Sequence, residues 1–265
     1  MLHRQKVIMR LLQHFDDLQK LDDLQHICYL MRYQSTTAGG GAFYDFVPRR
    51  GEPHSFALEH ELGKLVSAGL IGMDGDPPRW TNRFPPPVIE ASVESDIPRL
   101  GSDRSTTSPD TSRRDASASS AVYTAGYEGL SIDRFLRLLV DSGIQRLIDV
   151  RNNPSSRRYG FHKTTLRRLT SELAIAYEHI PELGIAASIR DQYSNENSRP
   201  LMFDRYEATT LKAESEVIER VADLIRERPS VLVCMEADPA DCHRSRLAKS
   251  IARLTGLAIV HLHVE

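Results

Sequence analysis

In the C-terminal half of the chain, carboxylates, arginines, a thiol and an imidazole recur in short groups, each following an apolar run. Tyr127 and Glu128 follow Val122-Tyr123-Thr124-Ala125, and Asp149 lies at the end of the run from Arg146 to Val150, with Arg151 and Ser155 just beyond. Glu236 follows Val231–Met235 and leads into Asp238-Pro239-Ala240-Asp241-Cys242-His243-Arg244. Glu128, Asp149 and Glu236 are the residue types that activate water or stabilise a cationic transition state, as carboxylates do at glycosidic carbons. Arg151 and Arg244 could clamp a phosphate bidentately, with Tyr127 and Ser155 completing a binding edge. Cys242, at the start of a helix and near its positive end, could carry a lowered pKa and act as a nucleophile, with His243 beside it.

Each of these residues also has a plainer use. Asp149 could only cap a loop, and Cys242 could be a small packing residue. Neighbours such as 242 and 243 point about 100° apart on a helix, so they need not serve one atom together. His261 and His263 share a face of the last strand and read as structural or rim residues. The pairs Arg157-Arg158 and Arg167-Arg168 read as solvated charge or as a surface that tracks a phosphate backbone. The weight lies in convergence, which depends on the elements that carry these groups.

Residues 121–265 alternate strand and helix, the signature of a parallel sheet. Strands are expected at 122–125, 146–150, 175–180, 231–235 and 258–263, with helices at 131–142, 164–174, 213–227 and 240–255. Asp238 would N-cap the last helix, with Pro239 in its first turn. Ligands of open parallel sheets sit beyond the carboxyl ends of the strands, which gathers all the groups above on one edge. The stretch 185–212 reads as an irregular, polar cover.

The first 84 residues follow a different pattern. Helical spacing at 3–19 and 22–34, an alternating run at 43–47, a helix from Ser55 to Ala68 and a turn at 72–77 give the element order of a winged helix. Such a domain would contact phosphates through Arg49, Arg50, Lys64, Arg79 and Arg83, opposed by Glu59 and Glu61 on the same helix. Residues 85–120 open with three prolines. From Gly101 to Ser120 ten of twenty residues are Ser or Thr and none is Leu, Ile, Val or aromatic, which predicts a flexible linker.

A net charge of −2 excludes an overall cationic protein, so DNA binding would need a local patch. Three widely spaced cysteines are no disulfide framework, and no stretch suits a membrane span or signal peptide; cytoplasm is the expected compartment. The chain has no C-x-x-C zinc spacing, no G-x-G-x-x-G and no P-loop, so no cofactor is expected and no metal ligands are assigned, with a divalent metal left open. A homodimer or a larger complex stays open.

Four stretches carry a family resemblance: Thr124-Ala125-Gly126-Tyr127-Glu128-Gly129; Leu147-Ile148-Asp149-Val150-Arg151 with Pro154, Ser155, Gly160 and Phe161; His179–Gly184; and Glu236–Pro239 with Cys242-His243-Arg244. Together they resemble the domain-of-unknown-function 488 family. Ile185 departs from the family's pattern, which commonly has a glycine there. The resemblance implies a Rossmann-like or flavodoxin-like α/β fold with Tyr127, Glu128, Asp149, Arg151, Glu236, Cys242, His243 and Arg244 on its polar edge, and it implies no particular reaction. The expected function is a DNA-processing enzyme hydrolysing an N-glycosidic or phosphodiester bond. The alternative is a DNA-binding regulator whose α/β domain senses a small anion or a thiol-reactive signal.

Overall fold

The computed structural model describes residues 1–15, 17–40, 42–75, 79–101, 118–193 and 198–264. The chain divides into two compact units, Met1–Ser112 and Arg113–Glu265.

In the first unit, α1 (His3–His14) and α2 (Leu21–Tyr33) bury Ile8, Leu11, Leu24 and Ile27 in one core. Strands β1 (Val47–Arg49) and β2 (Glu52–His54) form an antiparallel hairpin. Its two-residue turn puts Arg50 and Gly51 at φ 55° and 84°, the left-handed pair that matches the twist of a tight hairpin. Helix α3 (Phe56–Ser67) begins where the Ser55 hydroxyl accepts a hydrogen bond from the Leu58 amide at 3.2 Å. A second hairpin, β3 (Ile71–Asp74) with β4 (Arg79–Asn82), follows.

Three expectations change here. The strand expected at 43–47 begins only at Val47, because Phe43, Tyr44 and Phe46 are all drawn into the core instead of alternating. Glu61 faces inward: its carboxylate accepts from Arg4 and from the Tyr44 hydroxyl at 2.6 Å, so it is not a surface charge on α3. Part of the expected linker is structured. Helix α4 (Ala91–Asp96) and a 3₁₀ turn (Ile97–Gly101) bury Val93, Ile97 and Leu100 in the same core, with Ile89 just ahead of them. Asp96 is held by hydrogen bonds from Thr36 (2.9 Å) and from the Thr37 amide (3.0 Å). The helical spacing of those apolar residues was masked by the preceding prolines. The rest of the linker expectation, 102–117, lies outside the described residues.

The second unit runs β5 (Val122–Gly126), α5 (Ile132–Asp141), β6 (Arg146–Asp149), α6 (Lys163–Glu172) and β7 (Ala176–His179). A 3₁₀ turn (Pro181–Leu183), α7 (Ala187–Gln192), α8 (Arg199–Ala208), α9 (Thr210–Ala213), α10 (Ser215–Glu227), β8 (Ser230–Cys234), α11 (His243–Thr255) and β9 (Ile259–Leu262) complete it. All five strands are parallel, in the order β7-β6-β8-β5-β9. Strands β5, β6 and β8 are buried along their whole length, as expected for a sheet covered on both faces. The register sets Gly126 against Cys234 and Asp149 against Val233, so the ends of these three strands lie level.

Segment 185–212 is mostly helical rather than irregular, because Met202, Phe203, Tyr206 and Leu211 are buried on one core. The last helix starts three residues later than expected. Asp238 accepts from the Ala240 amide at 2.7 Å in a local turn, and Cys242 occupies the N-cap position. Among the described residues, no helix is long and apolar enough to cross a membrane.

Candidate functional site

Two polar clusters form where β5, β6 and β8 end. The first is built on Asp149, which is wholly buried. Its carboxylate accepts from Arg151 Nε at 2.8 Å, Arg151 Nη2 at 2.5 Å, the Arg151 amide at 3.2 Å and the Tyr177 hydroxyl at 2.6 Å. Arg151 also donates to the Tyr127 hydroxyl (2.8 Å) and the Phe161 carbonyl (2.9 Å). The Tyr127 ring stacks on Phe161 with centroids 4.1 Å apart, and the Arg151 guanidinium sits 5.2 Å from the Tyr127 centroid. Burial opposes the Arg151 charge, but the hydrogen bonds and charge of Asp149 outweigh it and hold its pKa above the usual value. Burial, with Asp149 adding to it, pushes the Tyr177 phenol up.

The second cluster lies around His243 at the start of α11. The Cys234 and Cys242 sulfurs lie 3.8 and 3.9 Å from His243 Nδ1, and Cys234 donates to Glu236 Oε2 at 3.0 Å. His243 Nε2 lies 3.2 Å from the Val150 carbonyl, so that nitrogen carries the proton and Nδ1 offers its lone pair to the sulfurs. The Tyr206 ring meets the imidazole edge-on at 5.4 Å. Burial pushes the Cys242 thiol well up, reinforced by Cys234, despite the opposing effect of His243. Burial of Glu236 is outweighed by hydrogen bonds from Cys242 and Cys234, so its carboxyl falls below the usual range.

A pocket of about 400 Å³ opens over the second cluster. Glu128, Glu236, Asp238 and Asp241 line it together with Cys242 and His243. Arg190 and Arg199 come from the 185–212 segment, as do Tyr193, Met202 and Phe203. Glu128 is fixed by accepting the Ala237 amide at 3.1 Å, and Arg199 approaches Asp241 at 3.5 Å. The close approach of the strand ends requires Gly126: a Cβ there would stand 1.8 Å from the Glu236 carbonyl oxygen.

The structure therefore sorts the sequence-derived set. Glu128, Glu236, Cys242 and His243 share the pocket, whereas Asp149 does not line it. Arg151 and Arg244 are not a phosphate clamp. Arg244, 1% exposed, donates to the Glu236 carbonyl at 2.6 Å and the Ala237 carbonyl at 2.9 Å, while Arg151 is committed to Asp149. Tyr127 is buried, and exposed Ser155 sits on a loop away from the pocket lining. Cys242 lacks the lowered pKa of a free nucleophile. His261 is bonded to Thr124 Oγ1 at 2.7 Å, a structural contact. In the N-terminal unit Arg50, Lys64, Arg79 and Arg83 are exposed. Arg83 pairs with Asp74 at 2.9 Å, and Arg49 lies 3.5 Å from His54 Nδ1.

Three groups were missed. Cys234 sits in an apolar run and reads as strand interior; its only signal is the alternation that places it on the same side as Glu236. Arg190 and Arg199 gave none, since nothing local shows that their helices fold over the strand ends. The Cys234, Cys242 and His243 ligand atoms all lie within 4.8 Å of one another.

Residues 131–251 match the family model described as Domain of unknown function DUF488. The C-terminal domain belongs to this family. Neither curated proteins nor solved structures give a match. The matched span of the DUF488 domain runs from the start of α5 into α11, and so includes Asp149 and the whole His243 cluster but not Glu128.

Proposed function

We propose that this protein is a hydrolase that cleaves an N-glycosidic bond in DNA or a nucleotide, with the DUF488 domain as its catalytic unit. What carries the reading is the charge of the pocket: four carboxylates, Glu128, Glu236, Asp238 and Asp241, against two guanidiniums, Arg190 and Arg199. An acidic wall stabilises the positive charge that develops on a sugar as its glycosidic bond breaks, and repels a phosphodiester. The volume of about 400 Å³ falls within the range of small-molecule sites and suits one nucleoside. In this reading Glu236 faces the sugar carbon or its attacking water, and Glu128 serves as the second carboxylate. The loss of Arg151 and Arg244 as phosphate ligands favours the glycosidic over the phosphodiester reaction.

The N-terminal unit would bring the chain to DNA. Its order of two helices, hairpin, helix and hairpin supports reading it as a winged helix, in which α3 would be the groove helix and Arg50, Lys64 and Arg79 the phosphate contacts. With Glu61 turned inward, one expected source of repulsion on α3 is gone.

The test is to incubate the full chain with unmodified and base-modified DNA and with free nucleosides, and to chromatograph the products. Free base is expected, and Glu236→Gln should abolish its release. Intact glycosidic bonds in every substrate, with a folded chain, would overturn the proposal.

A further inference from the structure

The DUF488 domain contains three soft ligand atoms at one point, and we propose that Cys234, Cys242 and His243 bind a single zinc-class divalent ion, with its fourth position open to the pocket. This inference stands apart from the glycosidic reading, since binding is read without any substrate.

A tetrahedral ion with Zn–S bonds of about 2.3 Å and Zn–N bonds of about 2.0–2.1 Å separates its sulfur and nitrogen ligands by roughly 3.6 Å. The two sulfurs stand 3.8 and 3.9 Å from His243 Nδ1, and all three atoms fall within 4.8 Å of one another. The sulfur–nitrogen pairs need shifts of a few tenths of an ångström, and the two sulfurs, which such an ion would set roughly 3.8 Å apart, lie within 4.8 Å of each other. As hydrogen bonds, those two separations are weak, so the buried imidazole lone pair has no strong partner without an ion.

A metal-bound histidine donates its other ring N–H to a carbonyl or carboxylate, which fixes the ring. His243 Nε2 does this to the Val150 carbonyl at 3.2 Å and leaves Nδ1 for the metal. Tyr206, packed against the ring and itself anchored by donating to the Leu183 carbonyl at 2.7 Å, limits its rotation.

His243 and Cys242 line the pocket, and so does Glu236, whose Oε2 lies 3.0 Å from Cys234 Sγ. Three protein ligands and an open fourth position are the pattern of catalytic rather than structural zinc. Two thiolates and an imidazole select zinc over magnesium or calcium, which take oxygen ligands. Both thiols give up their protons on binding, so affinity rises with pH. A water in the fourth position would lie beside the Glu236 carboxylate. Glu236 would then be the group placed to take up a proton from a water that the ion activates.

The experiment uses the full chain, reduced and stripped of metal. Stoichiometric Co²⁺ should give visible d–d bands and a near-ultraviolet thiolate-to-cobalt band, and Zn²⁺ should displace it at one equivalent. Cys234→Ser and Cys242→Ser should each weaken binding by at least tenfold and remove intensity from the thiolate band, whereas Glu236→Gln should keep both. No thiolate band with all thiols reduced, or an unchanged band in either serine variant, overturns the proposal. Should a serine variant fail to fold, alkylation mapped by mass spectrometry on the wild-type chain decides. Zn²⁺ must slow labelling of Cys234 and Cys242 at least tenfold, and unchanged rates overturn the site.

Discussion

Asp149 and His243 sit at neighbouring strand ends of one sheet, and the polar clusters around them are built on opposite plans. Around Asp149, Arg151 donates to acidic, phenolic and carbonyl partners while Tyr177 closes the remaining side of the carboxylate. Around His243, the two thiols share one carboxylate, Glu236, the imidazole Nδ1 has only sulfurs at 3.8 and 3.9 Å beside it, and one side faces an acidic pocket. The first cluster has spent its capacity on the fold; the second holds capacity in reserve. Residue types alone do not separate them, since each has a carboxylate and a cation-forming partner. What separates them is how many donors and acceptors remain once the protein's own contacts are made.

The contrast can be broken most forcefully at Asp149. Asp149→Ala should destabilise the DUF488 domain by about 3–5 kcal/mol in a denaturant titration, because it strands a buried guanidinium. A cost below about 1 kcal/mol would mean that the cluster is not structural. A similarly filled site lies in the N-terminal unit, where burial and then the charge of Arg49 lower the His54 pKa to about 4. Neutral His54 donates from Nε2 to Glu59 at 3.1 Å. The unfolded imidazole titrates near 6.5, so the unfolded chain takes up this proton first. The contribution is therefore complete above about pH 6.5 and is lost as pH falls towards 4, about 3 kcal/mol in all. The fluorescence of Trp80, the single tryptophan, packed against the N-terminal core, should follow that loss, and His54→Gln should flatten it.

Glu236→Gln sharpens the other side of the contrast. It should cut base release by about 100-fold or more while shifting stability by less than about 1 kcal/mol; a large stability loss would move Glu236 into the structural class. The smallest effect is expected at Lys64. Lys64→Ala should weaken DNA binding by a few-fold and reduce the salt slope by about one, measured by titration of the full chain.

The sequence shows some of this design directly. Strand–helix alternation from Val122 onward and the Ser55 and Ser131 caps are local patterns, and the structure has both hydroxyls accepting from amides three residues on. The polar strand ends were legible for the same reason. The strand order was not, because nothing in an apolar run such as Val231–Val233 says which neighbour it will pair with. Nor was the sorting of Arg151 and Arg244 into structural roles, which depends on carbonyls and a tyrosine brought in by other elements. Cys234 was hidden because a cysteine in a hydrophobic strand is ordinarily only packing. The helices over 187–213 were obscured by a polar surface that conceals the buried Met202, Phe203 and Tyr206.

The place of β8 in the sheet also governs how the protein can be made. β5 and β6 are consecutive in sequence yet never touch along their length as neighbours; β8 lies between them. A ribosome that has released everything through β7 has delivered three strands, of which only β6 and β7 can pair. About 50 more residues must emerge before the missing centre arrives, roughly 3–10 s at ordinary rates of synthesis. During that wait the nascent domain exposes unpaired apolar strand edges, so its yield should depend on translation speed and holdase chaperones more than that of the N-terminal unit, whose hairpins close locally.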